Sequence, residues 1–377
     1  MAIKILHTAD WQLGKAFGKF PDEAAVPLRE QRILSVKKIA TLAQQHKVDA
    51  VLVAGDVFEF ETIAEKTLHQ TLHAMSGFSG AWLMLPGNHD PGTADSVWTQ
   101  LRQLDPPGNI VILDKPQAYQ LPDKDAVVLS APLQRKHESV DTTEWFDGHA
   151  TKSDTIRIGL AHGSVDNRLP ERGEAPNTIS DKRAEKANLD YLALGDWHGM
   201  LQVDKRCWYS GTHETDRFRD NDSGNVLLVT IEKHGELPKV EVLQSGHYRW
   251  RQLTVAIHGA EGADDLERAL QALGDPPDNL VLQVTLQGTA DLESRARIEK
   301  VATRWSGLAR HFELREETLV SRASEDDLEQ IGRAGFVFEA VNTLRGLAED
   351  PNNQQAAVAD LALQLLYAQH KQLVNKR

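Results

Sequence analysis

Ala81-Trp82-Leu83-Met84-Leu85-Pro86-Gly87-Asn88-His89-Asp90 is a short apolar run that ends in a proline, a glycine and three side chains able to meet metal or phosphate. An apolar run of this length bounded by turn formers predicts a buried strand from Ala81 to Leu85, and the polar cluster then falls at its C-terminal end. The same grammar recurs on either side. Lys4 to Thr8 runs into Asp10-Trp11-Gln12, and Ala50 to Ala54 runs into Gly55-Asp56. Ile156 to Leu160 leads to His162-Gly163, and Tyr191 to Leu194 leads to Gly195-Asp196-Trp197-His198. Helical spacing fills the gaps: Ile33, Val36, Ala40 and Ala43 mark Leu28 to His46, with further helices at Ala64 to Met75 and Asp95 to Leu104. With Ile110 to Leu113 and Ala126 to Leu129 as added strands, the βαβαβ order predicts an α/β sheet. Ligands bind such sheets at the C-terminal strand ends, so these polar clusters share one edge. A lone Asp after a strand is ordinarily a turn or cap residue. The combination and its order carry the signal here, and Asp, Asn and His are residue types that bind divalent ions, so the set reads as a two-metal site.

The rest of the chain changes character twice. Between Asp204 and Leu243, short pieces such as Val226 to Ile231 and Val240 to Leu243 are expected to be antiparallel strands completing the main domain. After Gly246 a smaller βαβαβ unit is expected, with strands at Tyr248 to Ile257, Leu280 to Leu286 and His311 to Leu314, and helices at Ala263 to Leu273 and Leu292 to Trp305. From Glu325 onward two helices are expected, broken near Pro351, the first carrying Val337, Val341 and Leu344 and the second Val358, Leu361 and Leu365. These readings divide the chain at 1–245, 246–322 and 323–377.

Composition limits how a site of this kind works. The 377 residues are 41% hydrophobic and 26% charged, which is the balance of a folded globular protein. Acidic residues outnumber basic ones by 55 to 42, so a polyanion must be held locally against a net charge of -13. A single cysteine, Cys207, excludes an intramolecular disulfide and a cysteine-pair zinc spacing. The N-terminus lacks the pattern of a signal peptide and no stretch has the length of a membrane span, so a cytoplasmic protein without a membrane partner is expected.

The ordered motifs resemble those of the binuclear, calcineurin-like metallophosphoesterases, whose pattern is Asp-x-His, Gly-Asp, Gly-Asn-His-Asp/Glu, a lone His and Gly-His-x-His. His7-Thr8-Ala9-Asp10-Trp11-Gln12-Leu13-Gly14, Ala54-Gly55-Asp56-Val57-Phe58 and Leu85 to Asp90 are similar to the SbcD-like DNA-repair nucleases within that superfamily. The resemblance implies an α/β (α+β four-layer) fold, a central β-sandwich flanked by helices, followed by a small α/β capping domain and a helical tail. It also implies a ligand set. Asp10, Gln12, Asp56 and His198 would surround one ion, and Asp56, Asn88, His162 and Asp196 the other, with Asp56 bridging. Gln12 and Asp196 stand where the family has histidines, which makes the site poorer in imidazole and richer in oxygen. That shift favours Mn2+, with Mg2+ second, over zinc. Three carboxylates against two divalent ions leave about one positive charge to hold a phosphodiester, so an acidic protein can bind a polyanion there.

By the same resemblance His89 would be catalytic, contacting the phosphate or protonating the leaving oxygen, and a structural hydrogen bond to Asp90 or a neighbouring backbone is its plainer role. The implied activity is that of a manganese-dependent DNA phosphodiesterase, an endonuclease on single-stranded or hairpin DNA with exonuclease action second and a role in repair. The alternatives are a phosphatase or small-nucleotide diesterase, and a catalytically weakened subunit. Implied partners are DNA, an SbcC-like ATPase docked on the tail helices or other repair proteins, and a second copy of the chain.

Several neighbouring residues invite a function and a plainer reading together. His213 and Arg217 follow the last motif and are candidate substrate contacts, as are Lys15, Lys19 and Arg219, whereas solvated surface charge is the plainer reading of the cations. Gly14 to Lys19 has the flavour of a phosphate loop, but its glycines are too close and no Ser or Thr follows the lysine, so no ATPase is encoded. Trp11 and Trp197 either stack on bases or pack beneath the site. His7 is expected to support the site or fill the core.

Overall fold

The computed structural model describes residues 2–166, 177–290, 292–321 and 335–350, with single positions between 353 and 366. The chain forms two compact units, Met1–Tyr248 and Arg249–Arg377.

In the first unit β1 (Ile3–Thr8), β2 (Ala50–Val53), β3 (Ala81–Met84) and β4 (Ile110–Ile112) pair in parallel. Their crossovers are α1 (Asp22–His46), α2 (Glu65–Met75) and α3 (Val97–Gln103). The chain then builds a second sheet from β5 (Gln117–Gln120), β6 (Ala126–Ala131) and β7 (Ile156–His162). A small pair, β8 (Ser164–Val165) with β9 (Thr178–Ile179), and the short helix α4 (Arg183–Lys186) precede β10 (Tyr191–Gly195), β11 (Leu201–Gln202) and β12 (Cys207–Tyr209). Finally β13 (Asn225–Ile231) and β14 (Lys239–Gln244) return to the first sheet, antiparallel beside β1. The sheet orders are β14-β13-β1-β2-β3-β4 and β11-β12-β10-β7-β6-β5.

Side-chain alternation along the strands makes these sheets a sandwich. Ile3, Ile5, Leu52, Leu83 and Val229 of one sheet pack with Val128, Ile158, Leu160, Tyr191 and Ala193 of the other. The opposite face of the first sheet, with Leu6, Val51, Val53 and Trp82, is covered by Val36, Ile39, Ala40 and Ala43 of α1 and Leu68 of α2. Val127, Leu129, Leu192 and Leu194 turn the outer face of the second sheet toward Phe146 and Ala184. Strands covered on both faces read as continuous apolar runs, which is why they are legible in the sequence. This is the four-layer α/β architecture that the motifs implied. His7 joins the layers: its Nδ1 meets the Tyr191 hydroxyl at 2.9 Å and its Nε2 donates to the Leu194 carbonyl at 3.1 Å. Burial pushes its pKa down to about 3 against the opposing pull of that carbonyl, so the ring is a neutral core histidine.

Two local expectations are corrected, and one strand escapes the sequence pattern. Helix α1 starts at Asp22, not Leu28, because it runs through Pro27 at the cost of one backbone bond. Strand β5 carries no sequence signal, since it is a largely exposed edge without apolar alternation. Strand β12 lies parallel to β10, so the segment after Asp204 is not wholly antiparallel.

The second unit is a parallel sheet of β15 (Arg249–His258), β16 (Leu280–Ala290) and β17 (His311–Ser321). Helices α5 (Gly262–Gln271) and α6 (Leu292–Leu308) cross between them, burying Leu266, Leu270, Ile298 and Trp305 on Leu282, Val284 and Leu286. Strand β17 outruns the expected Leu314 because its polar half, Arg315 to Glu317, hides the pattern. In the tail, α7 (Phe336–Glu349) buries Val341 against Leu363, with Leu344 and Leu366 beside them. The expected face of Val358, Leu361 and Leu365 is exposed instead. The start of the tail, 323–334, and most of its second helix lie outside the described residues. No described helix is long and apolar enough to cross a membrane.

Candidate metal centre

The polar clusters meet at the C-terminal ends of β1, β2, β3, β7 and β10. Each of Asp10, Asp56 and His162 offers one ligand atom, and these atoms all lie within 4.8 Å of one another in a buried position. His162 Nδ1 donates to the Ala54 carbonyl at 2.9 Å, which fixes the ring and directs Nε2 to Asn88 Oδ1 at 2.8 Å and Asp56 Oδ1 at 3.5 Å. Burial opposes charging of this imidazole, but Asp56, Asp10 and Asp196 outweigh it and raise its pKa to about 9. Without metal the ring therefore holds a proton between the same oxygens that a cation would draw together. Asp10 is pushed the other way: burial, partly offset by His198 and His162, raises its pKa to about 6. Two carboxylates, an oriented imidazole and an amide oxygen form a donor set that fits one hard divalent ion.

The backbone is bent to bring them there. Asp10, Gln12, Asp56 and Asp196 all adopt positive φ, at 52°, 42°, 50° and 105°. Such conformations cost about 1–3 kcal/mol each and persist only where surrounding bonds impose them. Those bonds are present: Asp10 N–H donates to the Gly55 carbonyl, Gln12 N–H to the Asp56 carbonyl, and Asp196 N–H to the Asp10 carboxylate at 3.1 Å. Ser164 Oγ donates to Asp196 Oδ2 at 2.6 Å. Gly55 and Gly87 permit the approach, because a Cβ at the first would strike the His162 ring and at the second the Asp56 carboxylate.

His89 stands at the rim, partly exposed. Its backbone N–H donates to Asp56 Oδ1 at 2.9 Å, its Nδ1 meets the Glu59 carbonyl at 3.2 Å, and its Nε2 lies 3.9 Å from Asp56 Oδ2. Asp90 shapes the turn beneath it by accepting from Gly87 N–H and Phe58 N–H. Of the plainer roles expected for His89, the ring makes the bond to backbone, at Glu59, and not to Asp90.

Gln12 and His198 take a different path from the buried trio. Lys15 Nζ donates to Gln12 Oε1 at 2.9 Å and to Asp216 Oδ2 at 2.6 Å. His198 Nδ1 is 3.3 Å from the same Asp216 oxygen and accepts from Arg217 at 2.9 Å. Burial raises the Asp216 pKa, yet His198, Arg217 and Lys15 hold it well below the usual carboxylate range. Arg217 thus sits beside His198, Arg219 stacks over Trp197 at 4.9 Å, and Lys19 is exposed.

His213 is corrected. It is fully buried, its Nε2 donates to the Arg32 carbonyl at 2.7 Å, and its ring packs 5.8 Å from Trp11, so no substrate group can reach it. Trp11 is likewise packing: it is fully buried with Nε1 on Thr8 Oγ1. Arg32, a buried cation on α1, escapes the sequence reading. Its guanidinium donates to the carbonyls of Trp11, Asp10 and Glu214 and to Thr212 Oγ1, all between 2.8 and 3.0 Å. It clamps the first ligand loop to the segment after β12. Its one sequence signal is a charge among the apolar positions of a helix.

The chain is similar to proteins named as the SbcD subunit of the SbcCD nuclease. It is 24% identical to that of Bacillus subtilis (strain 168) over 62% of this chain and 67% of the relative. It is 25% identical to that of Staphylococcus saprophyticus over 56% of this chain and 60% of the relative, so the match spans less than two thirds of the latter's length. Among solved structures, TT1561 of Thermus thermophilus aligns with 65% of this chain and 100% of that one at 13% identity and a TM-score of 0.38. The calcineurin-like phosphoesterase family model matches residues 3–247, the stretch that carries every motif at this sheet edge. The chain belongs to the calcineurin-like phosphoesterase family.

Proposed function

We propose that the protein is a manganese-dependent phosphodiesterase acting on single-stranded or hairpin DNA, with Mg2+ as the second choice of ion. The observation that carries this reading is the convergence of Asp10, Asp56 and His162 within 4.8 Å beside His89. Asp10, Asp56, Asn88 and His162 would hold a divalent ion, with Asp196 supporting Asp10 through its backbone. When bound, that ion supplies Lewis-acid activation of water and of the phosphoryl oxygens. The chain's own residues do the remainder. The Ala54 carbonyl keeps the His162 ring in one orientation, and Asp56 places the His89 backbone. With Nδ1 on the Glu59 carbonyl, His89 presents Nε2 at the rim, where it contacts the phosphate or delivers a proton to the leaving oxygen. DNA rather than a small nucleotide is favoured by the similarity to relatives named as nuclease subunits. The names, as subunits of an SbcCD nuclease, also support, as a proposal, an SbcC-like partner; an ATPase activity of that partner and a role in repair are proposed from the motif resemblance.

The test is incubation of the protein with single-stranded, duplex and hairpin DNA, RNA, and a chromogenic diester and monoester, each with Mn2+, Mg2+ or Zn2+. Cleavage of single strands and hairpins in Mn2+, lost in His89→Ala and Asp56→Ala, is expected. Equal or greater activity on the monoester would favour a phosphatase, and no hydrolysis of any substrate would favour a binding subunit.

A further inference from the structure

The family pattern gives its second ion an Asp-x-His histidine and the last histidine of Gly-His-x-His. Here those positions are Gln12 and His198, and a fixed cation stands against each. Gln12 Oε1 accepts from the Lys15 ammonium at 2.9 Å. His198 Nδ1 lies 2.9 Å from the Arg217 guanidinium and 3.3 Å from Asp216 Oδ2, so a cation stands against that ring as well. A cation repels a second cation, and an amide already bound to an ammonium is a poor ligand.

The ammonium is placed by the fold. Lys15 N–H closes a turn onto the Gln12 carbonyl at 3.2 Å, with Gly14 at φ 96°, and this turn folds the lysine back over Gln12. A Cβ at Gly14 would press on Ile63, so the turn requires glycine there. On both sides the loop is stitched to the Asp56 segment, Leu13 N–H to the Val57 carbonyl and Glu59 N–H to the Leu13 carbonyl. Asp216, 1% exposed and bound by Lys15 and Arg217, anchors the far side, whereas the Lys15 side chain keeps 20% of its surface open.

We propose that this centre holds one divalent ion, on Asp10, Asp56, Asn88 and His162, and that the Lys15 ammonium, fixed by Gln12 and Asp216, serves in place of the second ion as the cation that meets the substrate phosphate. The proposal rests on the phosphodiesterase reading above and specifies its cofactor count. A fixed ammonium offers the charge of a phosphate-binding cation without a second exchangeable metal, and its geometry is set before substrate arrives.

The experiment is Mn2+ titration of the full chain by calorimetry, with electron paramagnetic resonance at saturation. One ion per chain with an uncoupled six-line spectrum is expected. Two ions with an exchange-coupled spectrum would overturn the lysine proposal and leave the phosphodiesterase reading standing, whereas no bound ion would overturn both. Lys15→Met should still bind one Mn2+ and keep the wild-type circular dichroism, but lose about 100-fold in kcat on a chromogenic diester. Unchanged kcat in that variant, with one ion bound, would refute the role of the ammonium. Gln12→His combined with Lys15→Ala restores a histidine and removes the cation, and should raise the count to two; a count that stays at one would contradict the claim that these two residues exclude the second ion.

Discussion

At Asp10, Gln12, Asp56 and Asp196 the chain accepts positive φ at the strand ends, and two of these side chains, Asp10 and Asp56, converge with His162. Bonds to neighbouring strand ends hold these conformations. His89 is the exception, because only its backbone is tied to a carboxylate and its ring stays at the rim. His89→Ala should therefore reduce kcat on a diester by about 100-fold or more, the range for a lost general acid, while the Mn2+ affinity measured by calorimetry stays within a few-fold. A proportionate loss of metal affinity would move His89 from chemistry to metal binding. His7 offers a separate, purely thermodynamic check. Its folded pKa is about 3 against 6.5 for an ordinary histidine, so the unfolded chain takes up a proton as pH falls through 6.5 and the folded chain does not until near 3. Stability is present above pH 6.5 and lost below it, at about 1.4 kcal/mol per pH unit. Urea denaturation of wild type and His7→Gln between pH 7 and 4 should show their difference shrinking at that rate. Asp10, whose raised pKa acts in the opposite direction, is common to both proteins and cancels.

Among the elements, α1 does more than cover the first sheet. Arg32 reaches from its middle to the carbonyls of Trp11, Asp10 and Glu214 and to Thr212 Oγ1; Arg32→Met would leave the Trp11 carbonyl without a donor, and those of Asp10 and Glu214 with the single Thr212 hydroxyl to share. Destabilisation of about 3 kcal/mol or more is expected from thermal denaturation, together with weaker Mn2+ binding, because the same carbonyls position Asp10. Wild-type melting in Arg32→Met would show that the clamp is redundant. This residue also marks where sequence reading ends. The glycines and acids that follow β1, β2, β3, β7 and β10 are legible because strand, turn and ligand are consecutive in the chain. Arg32 bonds to Glu214, and Lys15 to Asp216, 182 and 201 positions away, and no local pattern encodes such pairs. His213 misleads for the same reason: its neighbours in sequence are site residues, but its neighbours in space are Trp11 and Arg32. The edge strand β5 lacks a buried face and so lacks a pattern.

For the whole molecule, the net charge of -13 sets the terms on which DNA can be bound. Attraction must come from the bound ion and a few fixed cations, among them Lys15 and Arg217, that reach over a repulsive surface. Fluorescence anisotropy with a phosphorothioate single strand should then show binding that strengthens by about tenfold or more when Mn2+ is added. Its logarithmic salt dependence should have a slope of about -2, the signature of few phosphate contacts. Tight binding without metal, with a steep slope, would point to a basic surface that the sequence does not have. The most direct measurement is cleavage of a single-stranded oligonucleotide by wild type and Asp56→Asn, each stripped of metal and then supplied with Mn2+. Asp56 accepts the His89 backbone and lies beside His162, so it joins metal binding to chemistry. Cleavage by wild type in Mn2+ alone, and by the variant in neither condition, is the expected result; cleavage that survives metal removal or the Asp56→Asn substitution would contradict a metal-dependent phosphodiesterase at this site.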